Sequence, residues 1–81
     1  MRLPKGWTKS KIPWKWERKL DDFYDLIIVE QDDEPKHKRF KLYVLKFCGS
    51  IHHIRYAETL KELLGLSKEI TPENWRSFTR Y

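Results

Sequence analysis

Apolar and polar positions in the middle of the chain fall into two strand-like runs. Residues 23–31, from Phe23 to Gln31, are rich in β-branched and aromatic side chains and end in the polar cluster Asp32-Asp33-Glu34-Pro35. Such a run, closed by loop-forming residues, predicts a β-strand. Arg39 to Cys48 predicts a second strand on the same grounds. A Gly49-Ser50 pair then separates this run from Ile51, the pattern of a two-residue hairpin with glycine at its first central position.

That turn would set the register, and the register sorts side chains between faces. Lys46 would lie opposite His53, Leu45 opposite Ile54 and Tyr43 opposite Tyr56. One face would carry Tyr43, Leu45, Phe47, His52, Ile54 and Tyr56 and rest on the core. The other would carry Val44, Lys46, Cys48, Ile51, His53 and Arg55, exposing a Lys46–His53–Arg55 cluster.

Helical signals follow. Thr59-Leu60-Lys61-Glu62 has the form of a capping box, with Leu60, Leu63 and Leu64 as an apolar stripe and Gly65 as a stop. Thr71-Pro72-Glu73 predicts a second start: Thr caps, Pro takes the first helical position, and Glu meets the helix dipole. Ile70 and Trp75 stand where a hydrophobic staple would clamp it. Before the first strand, Pro4, Gly6 and Pro13 together with Trp14-Lys15-Trp16-Glu17 predict an extended arm over residues 1–19. Its three tryptophans imply that at least one pins it to the body. The expected architecture is α+β: a three-stranded antiparallel sheet with one or two short helices packed on one face, an extended N-terminal arm (1–19) and one domain over 20–81.

Eighty-one residues allow one domain with one core. A chain this short buries only about two-thirds of its unfolded surface, so the 15% of aromatic residues matters to its stability. Cys48 is the single cysteine, which rules out an internal disulfide and fits a reducing compartment. The longest aliphatic run, Leu26 to Val29, is far below the roughly 20 residues of a membrane span. Met1 to Gly6 lacks the apolar stretch of a signal peptide. A cytoplasmic location, or a nuclear one in a eukaryote, is the expectation.

The formal net charge is +5, but its layout is blocked. Residues 1–20 hold seven bases and one acid, residues 21–35 seven acids and no base, and residues 36–55 six bases and no acid. Such blocks either pair internally or present separate charged faces to partners.

Catalytic and metal constellations are weak. Cys48, His52 and His53 are close in sequence, but the expected register sends the two histidines to opposite faces, short of the four ligands of structural zinc. Cys48 then reads as a buried thiol and the histidines as ordinary. Asp25 with Glu34-Pro35-Lys36 could be forced into a metal-nuclease pattern, yet the proline sits in a loop, where a rigid site is hard to build. A thiol–imidazole pair would lack an orienting third group, and the three glycines form no phosphate loop. No metal, cofactor or small-molecule substrate is indicated, and the chain is not expected to be an enzyme.

Binding patterns are stronger. Thr59 to Arg76, with Gly65 between two expected helices, has a partial helix–turn–helix arrangement, although Pro72 and Lys61 depart from that pattern. Leu3-Pro4-Lys5-Gly6-Trp7 resembles the opening of WW and methyl-CpG-binding domains, but the later Trp of the first and the Arg/Gly-rich loop of the second are absent. Ile54 to Leu63 resembles the strand-to-helix junction of integrase arm-type and AP2-type DNA-binding domains, which implies a three-stranded sheet lying in the major groove. These short matches assign no family. Lys11 to Lys19 interleaves cations with indole rings, Lys36 to Lys41 adds a second basic cluster, and Lys46, His53 and Arg55 a third. The expected function is nucleic-acid binding, to DNA or RNA, largely through backbone contacts made by Lys11, Trp14, Lys15, Trp16, Arg18, Lys46, His53 and Arg55. The alternative is a small interaction or inhibitor protein that docks on another protein through its tryptophans.

Overall fold

The computed structural model describes residues 3–79; Arg2, counted with the basic arm, lies outside the described residues. The chain forms a five-stranded antiparallel meander, β1 (Trp7–Lys9), β2 (Lys15–Lys19), β3 (Tyr24–Glu30), β4 (Phe40–Lys46) and β5 (Ile51–Ala57), in that spatial order. A single α-helix, α1 (Leu60–Ser67), follows. Short 3-10 segments lie at Lys36–Lys38 and Trp75–Thr79. The expected three-stranded sheet with an extended arm is therefore corrected: the arm supplies two more strands.

Alternation explains why. Within β2, Trp16 and Arg18 point to the core side while Lys15, Glu17 and Lys19 point away, a period of two. Across the sheet this builds one core row, Trp7–Arg18–Leu26–Val44–His52, and a second through Trp16, Ile28 and Leu42. Leu26, Ile28, Leu42 and Val44 are fully buried there beneath Leu63 and Leu64 of α1, Ile70 and Trp75. Burying each such side chain contributes about 1.5–3 kcal/mol.

The hairpin between β4 and β5 also departs from expectation. The amide of Gly49 donates to the Lys46 carbonyl and that of Lys46 to the Ser50 carbonyl. Phe47-Cys48-Gly49 is thus a three-residue connection, with Gly49 at φ +98° in the left-handed region that a type I turn with a terminal bulge requires. Leu45 pairs with Ile51, Val44 with His52 and Tyr43 with His53. The register differs by three from the expected one, and an odd shift exchanges faces. Leu42 and Val44 therefore lie on the core, whereas Tyr43 and Leu45 face away from it. Lys46 and His53 fall on opposite faces, so the Lys46–His53–Arg55 cluster does not form.

Past His53 the ladder slips at a bulge, after which Leu42 pairs with Arg55 and Phe40 with Ala57. The extra residue, Ile54, is buried in the core cluster, as is Ala57.

Thr59 caps α1 through its hydroxyl, which accepts from the Glu62 amide at 3.3 Å. Gly65 does not stop the helix, which continues to Ser67. Its end is held from the sheet instead. The Arg18 guanidinium donates to the Ser67 carbonyl and to the Ile70 carbonyl, each at 3.1 Å. The Trp7 indole N–H donates to the Ser67 hydroxyl at 3.2 Å, and that hydroxyl donates to the Leu64 carbonyl at 2.7 Å. Gly6, at φ +90°, lies where an added Cβ would come within 3.4 Å of the Arg18 side chain.

The second expected helix is a 3-10 segment, which removes the helix–turn–helix reading. The local signal at its start is nonetheless present: the Asn74 amide donates to the Thr71 hydroxyl, and the Thr71 amide to the Asn74 side-chain oxygen. Ile70 and Trp75 both join the core cluster.

Two outcomes follow for chemical denaturation. Arg18→Met is expected to destabilise the fold by about 2 kcal/mol or more, since hydrogen bonds from charged groups are worth about 1.5–3 kcal/mol each. Arg18→Lys should recover only part, because one ammonium lacks the two-pronged donor geometry. Thr71→Ala is expected to cost about 0.5–2 kcal/mol. An unchanged midpoint in either case would show that the corresponding contact does not hold the fold.

Candidate functional site

With α1 and the Trp75 segment on one side of the sheet, the side chains on the other side define a face of their own. The registers place them in rows. One runs Lys15–Val29–Lys41–Tyr56, the next Glu17–Ile27–Tyr43–His53, and the third Lys19–Asp25–Leu45–Ile51. At the centre Ile27 is completely buried, although it belongs to this face and not to the main core cluster. Its cross-strand neighbours Glu17 and Tyr43 are themselves half-buried.

Around that centre, rings and cations are paired. The Lys41 ammonium lies 5.6 Å from the centroid of the Tyr43 ring. The Lys38 ammonium, delivered by the 3-10 turn between β3 and β4, lies 5.2 Å from the centroid of the Tyr56 ring. The His53 ring tilts against Tyr56 with 4.4 Å between centroids. Burial, then the nearby charges of Lys41 and Lys38, pushes the His53 pKa below its ordinary value. The imidazole is thus held neutral among cations. Burial, then Glu17, pushes the Tyr43 phenol upward, so it also stays uncharged. Among the described residues, Lys15, Lys38 and Lys41 have no carboxylate within ion-pair distance.

The residues singled out by sequence are dispersed. Lys15 and His53 lie on this face. Trp16 packs on the core side against Phe40, with 6.2 Å between ring centroids. Arg18 is the strut on α1, and burial lowers its pKa. Lys46 lies at the margin of the core side, paired with Tyr24. Lys11 and Trp14 sit on the exposed β1–β2 connection, and Arg55 is exposed beyond the bulge. Lys38, Lys41, Tyr43 and Tyr56 were not singled out. The basic cluster from Lys36 to Lys41 was the available signal for the two lysines, and the correct hairpin register would have added both tyrosines.

Elsewhere the surface is less organised. Phe23 and Phe47 form an edge-to-face pair at one end of the sheet, 56% and 75% exposed. Cys48, expected as a buried thiol, is exposed at the tip of the same hairpin. Its pKa is lowered, chiefly by hydrogen bonding to Ser50. Asp25 lies at the opposite end of β3 from the loop that carries Glu34 and Lys36, so these three do not assemble. Among the described residues no three His, Cys, Asp or Glu side chains converge as a metal site would require. Among the same residues no helix is long and apolar enough to cross a membrane.

Compared with protein-family models, curated proteins and solved structures, the chain shows no match to any of them.

Proposed function

We propose that this protein binds nucleic acid through the sheet face opposite α1. The observation that supports this reading is the set of cations on that face. Lys38 and Lys41 lie over Tyr56 and Tyr43, Lys15 stands in the same cross-strand row as Lys41, and among the described residues none of the three has a carboxylate within ion-pair distance. Lysines of this kind neutralise phosphates and release condensed counterions, the main source of affinity for a polyanion. Glu17 and Asp25 stand on the same face in the rows beyond that of Lys15 and Lys41, and Asp32, Asp33 and Glu34 lie in the loop before Lys38. Lys11, on the loop before β2, extends the basic margin.

The Phe23–Phe47 pair favours a second reading, a protein partner docked on the apolar end of the sheet. Exposed aromatic clusters are common at the centres of such interfaces.

Salt separates the two. For a single strand held by Lys15, Lys38 and Lys41, log affinity should fall with log salt at a slope of about −2. Replacing Lys15 and Lys41 together by Ala should flatten that slope by about one to one and a half units while leaving the thermal midpoint near that of the parent. Absence of DNA and RNA binding at low salt would reject the nucleic-acid reading. A protein partner lost on Phe47→Ala, with little salt response, would put the second reading in its place.

A further inference from the structure

We infer that the open sheet face takes single-stranded nucleic acid, with consecutive bases stacked on Tyr43 and Tyr56 and the adjoining phosphates held by Lys41 and Lys38. This rests on the nucleic-acid reading above and adds which form of nucleic acid is bound, and how.

The geometry repeats one unit twice. Each unit is a half-buried phenol ring with a lysine ammonium lying over it, Lys41 on Tyr43 and Lys38 on Tyr56. Because Lys41 pairs with Tyr56 and Tyr43 with His53, the two rings are diagonal neighbours on adjacent strands. Two ring-and-cation units side by side match two nucleotides, each of which offers a flat base and one negative charge. An ammonium resting on a half-buried ring is a weaker contact than a base stacked there, and the displaced ammonium gains a phosphate. The incoming strand therefore replaces both resident contacts with stronger ones.

His53 makes the platform firm. Its ring leans on Tyr56 and limits the rotation of that phenol, and its neutrality keeps a third charge out of a crowded cationic site. Fixed aromatic surface of this kind binds any base, because every base has a π-face, so a low sequence preference follows.

A duplex does not fit the same surface. Its base faces are already stacked on one another, so the rings of Tyr43 and Tyr56 find no free base face there. α1, the one α-helix among the described residues, packs on the other side.

Equilibrium titrations of labelled oligothymidylate, and of the same strand annealed to its complement, test this with the full chain over a range of salt. The single strand should bind more tightly than the duplex. Tyr43→Leu and Tyr56→Leu should each weaken it roughly fivefold to a hundredfold without changing the salt slope, while Tyr43→Phe and Tyr56→Phe retain binding. Should a leucine variant fail to fold, ultraviolet crosslinking of the unaltered protein to oligothymidylate gives the same answer, with adducts expected on Tyr43 or Tyr56. Equal affinity for duplex and single strand, tolerated leucine variants, or adducts confined to Trp14 or Phe47 would overturn the stacking proposal and leave electrostatic binding standing. No binding of either form at low salt would remove both.

Discussion

The guanidinium of Arg18 is the contact on which the two-sided character of this molecule depends. It reaches from the second strand to the carbonyls of Ser67, the last residue of α1, and of Ile70, three residues beyond it. An eight-residue helix has little stability of its own. It persists because Leu63 and Leu64 are buried against the sheet and its last turn is tied to Arg18 and Trp7. With the helix fixed over the core rows, the opposite rows remain uncovered by it. The same anchorage that stabilises one face thus leaves the other available.

Local signals in the chain were legible and long-range ones were not. The strands β3 and β4 follow from their β-branched and aromatic runs, and the cap at Thr59 follows from a spacing of three residues, whereas Thr71 closes a turn and starts no α-helix. The first two strands were hidden by Arg18, a charged residue at a core-facing position whose partners lie 49 and 52 residues away. No window of the sequence contains both ends of that interaction. The β4–β5 register failed differently. Gly49 serves a two-residue or a three-residue turn, and one residue of ambiguity in the connection reassigns the strands between faces. Composition pointed the wrong way: the face with Tyr43, Leu45 and Phe47 is the more apolar in sequence, yet Leu42 and Val44 lie on the core. The functional face inherited that error, which is why Lys46 was favoured and Lys41 overlooked.

The aromatic residues show how a small domain divides scarce material. Trp7 and Trp75 are nearly inaccessible and Trp16 is half-buried, while Trp14 is 50% exposed. Tyr24 and His52 pack on Trp75 from the sheet, each with ring centroids 5.1 Å away. Of the two indoles expected to meet a ligand, Trp16 packs on the core side and Trp14 stays exposed, while the phenols of β4 and β5 stand on the opposite face. The acidic block behaves similarly. Glu30 pairs with Arg39 and Asp32 lies near the same guanidinium, so part of the negative charge is spent on fixing the loop that carries Lys38.

The bulge at Ile54 bears on what the molecule does in company. β5, seven residues long, is the last strand of the meander, and among the described residues no strand pairs with its outer edge. A straight edge of that length would template a strand from a neighbouring chain. The inserted residue puts the two halves of β5 out of step and adds local twist. An incoming strand could match the half before Ile54 or the half after it, but not both. The irregularity that lets Ile54 and Ala57 both fill the core therefore also guards against edge-to-edge polymerisation.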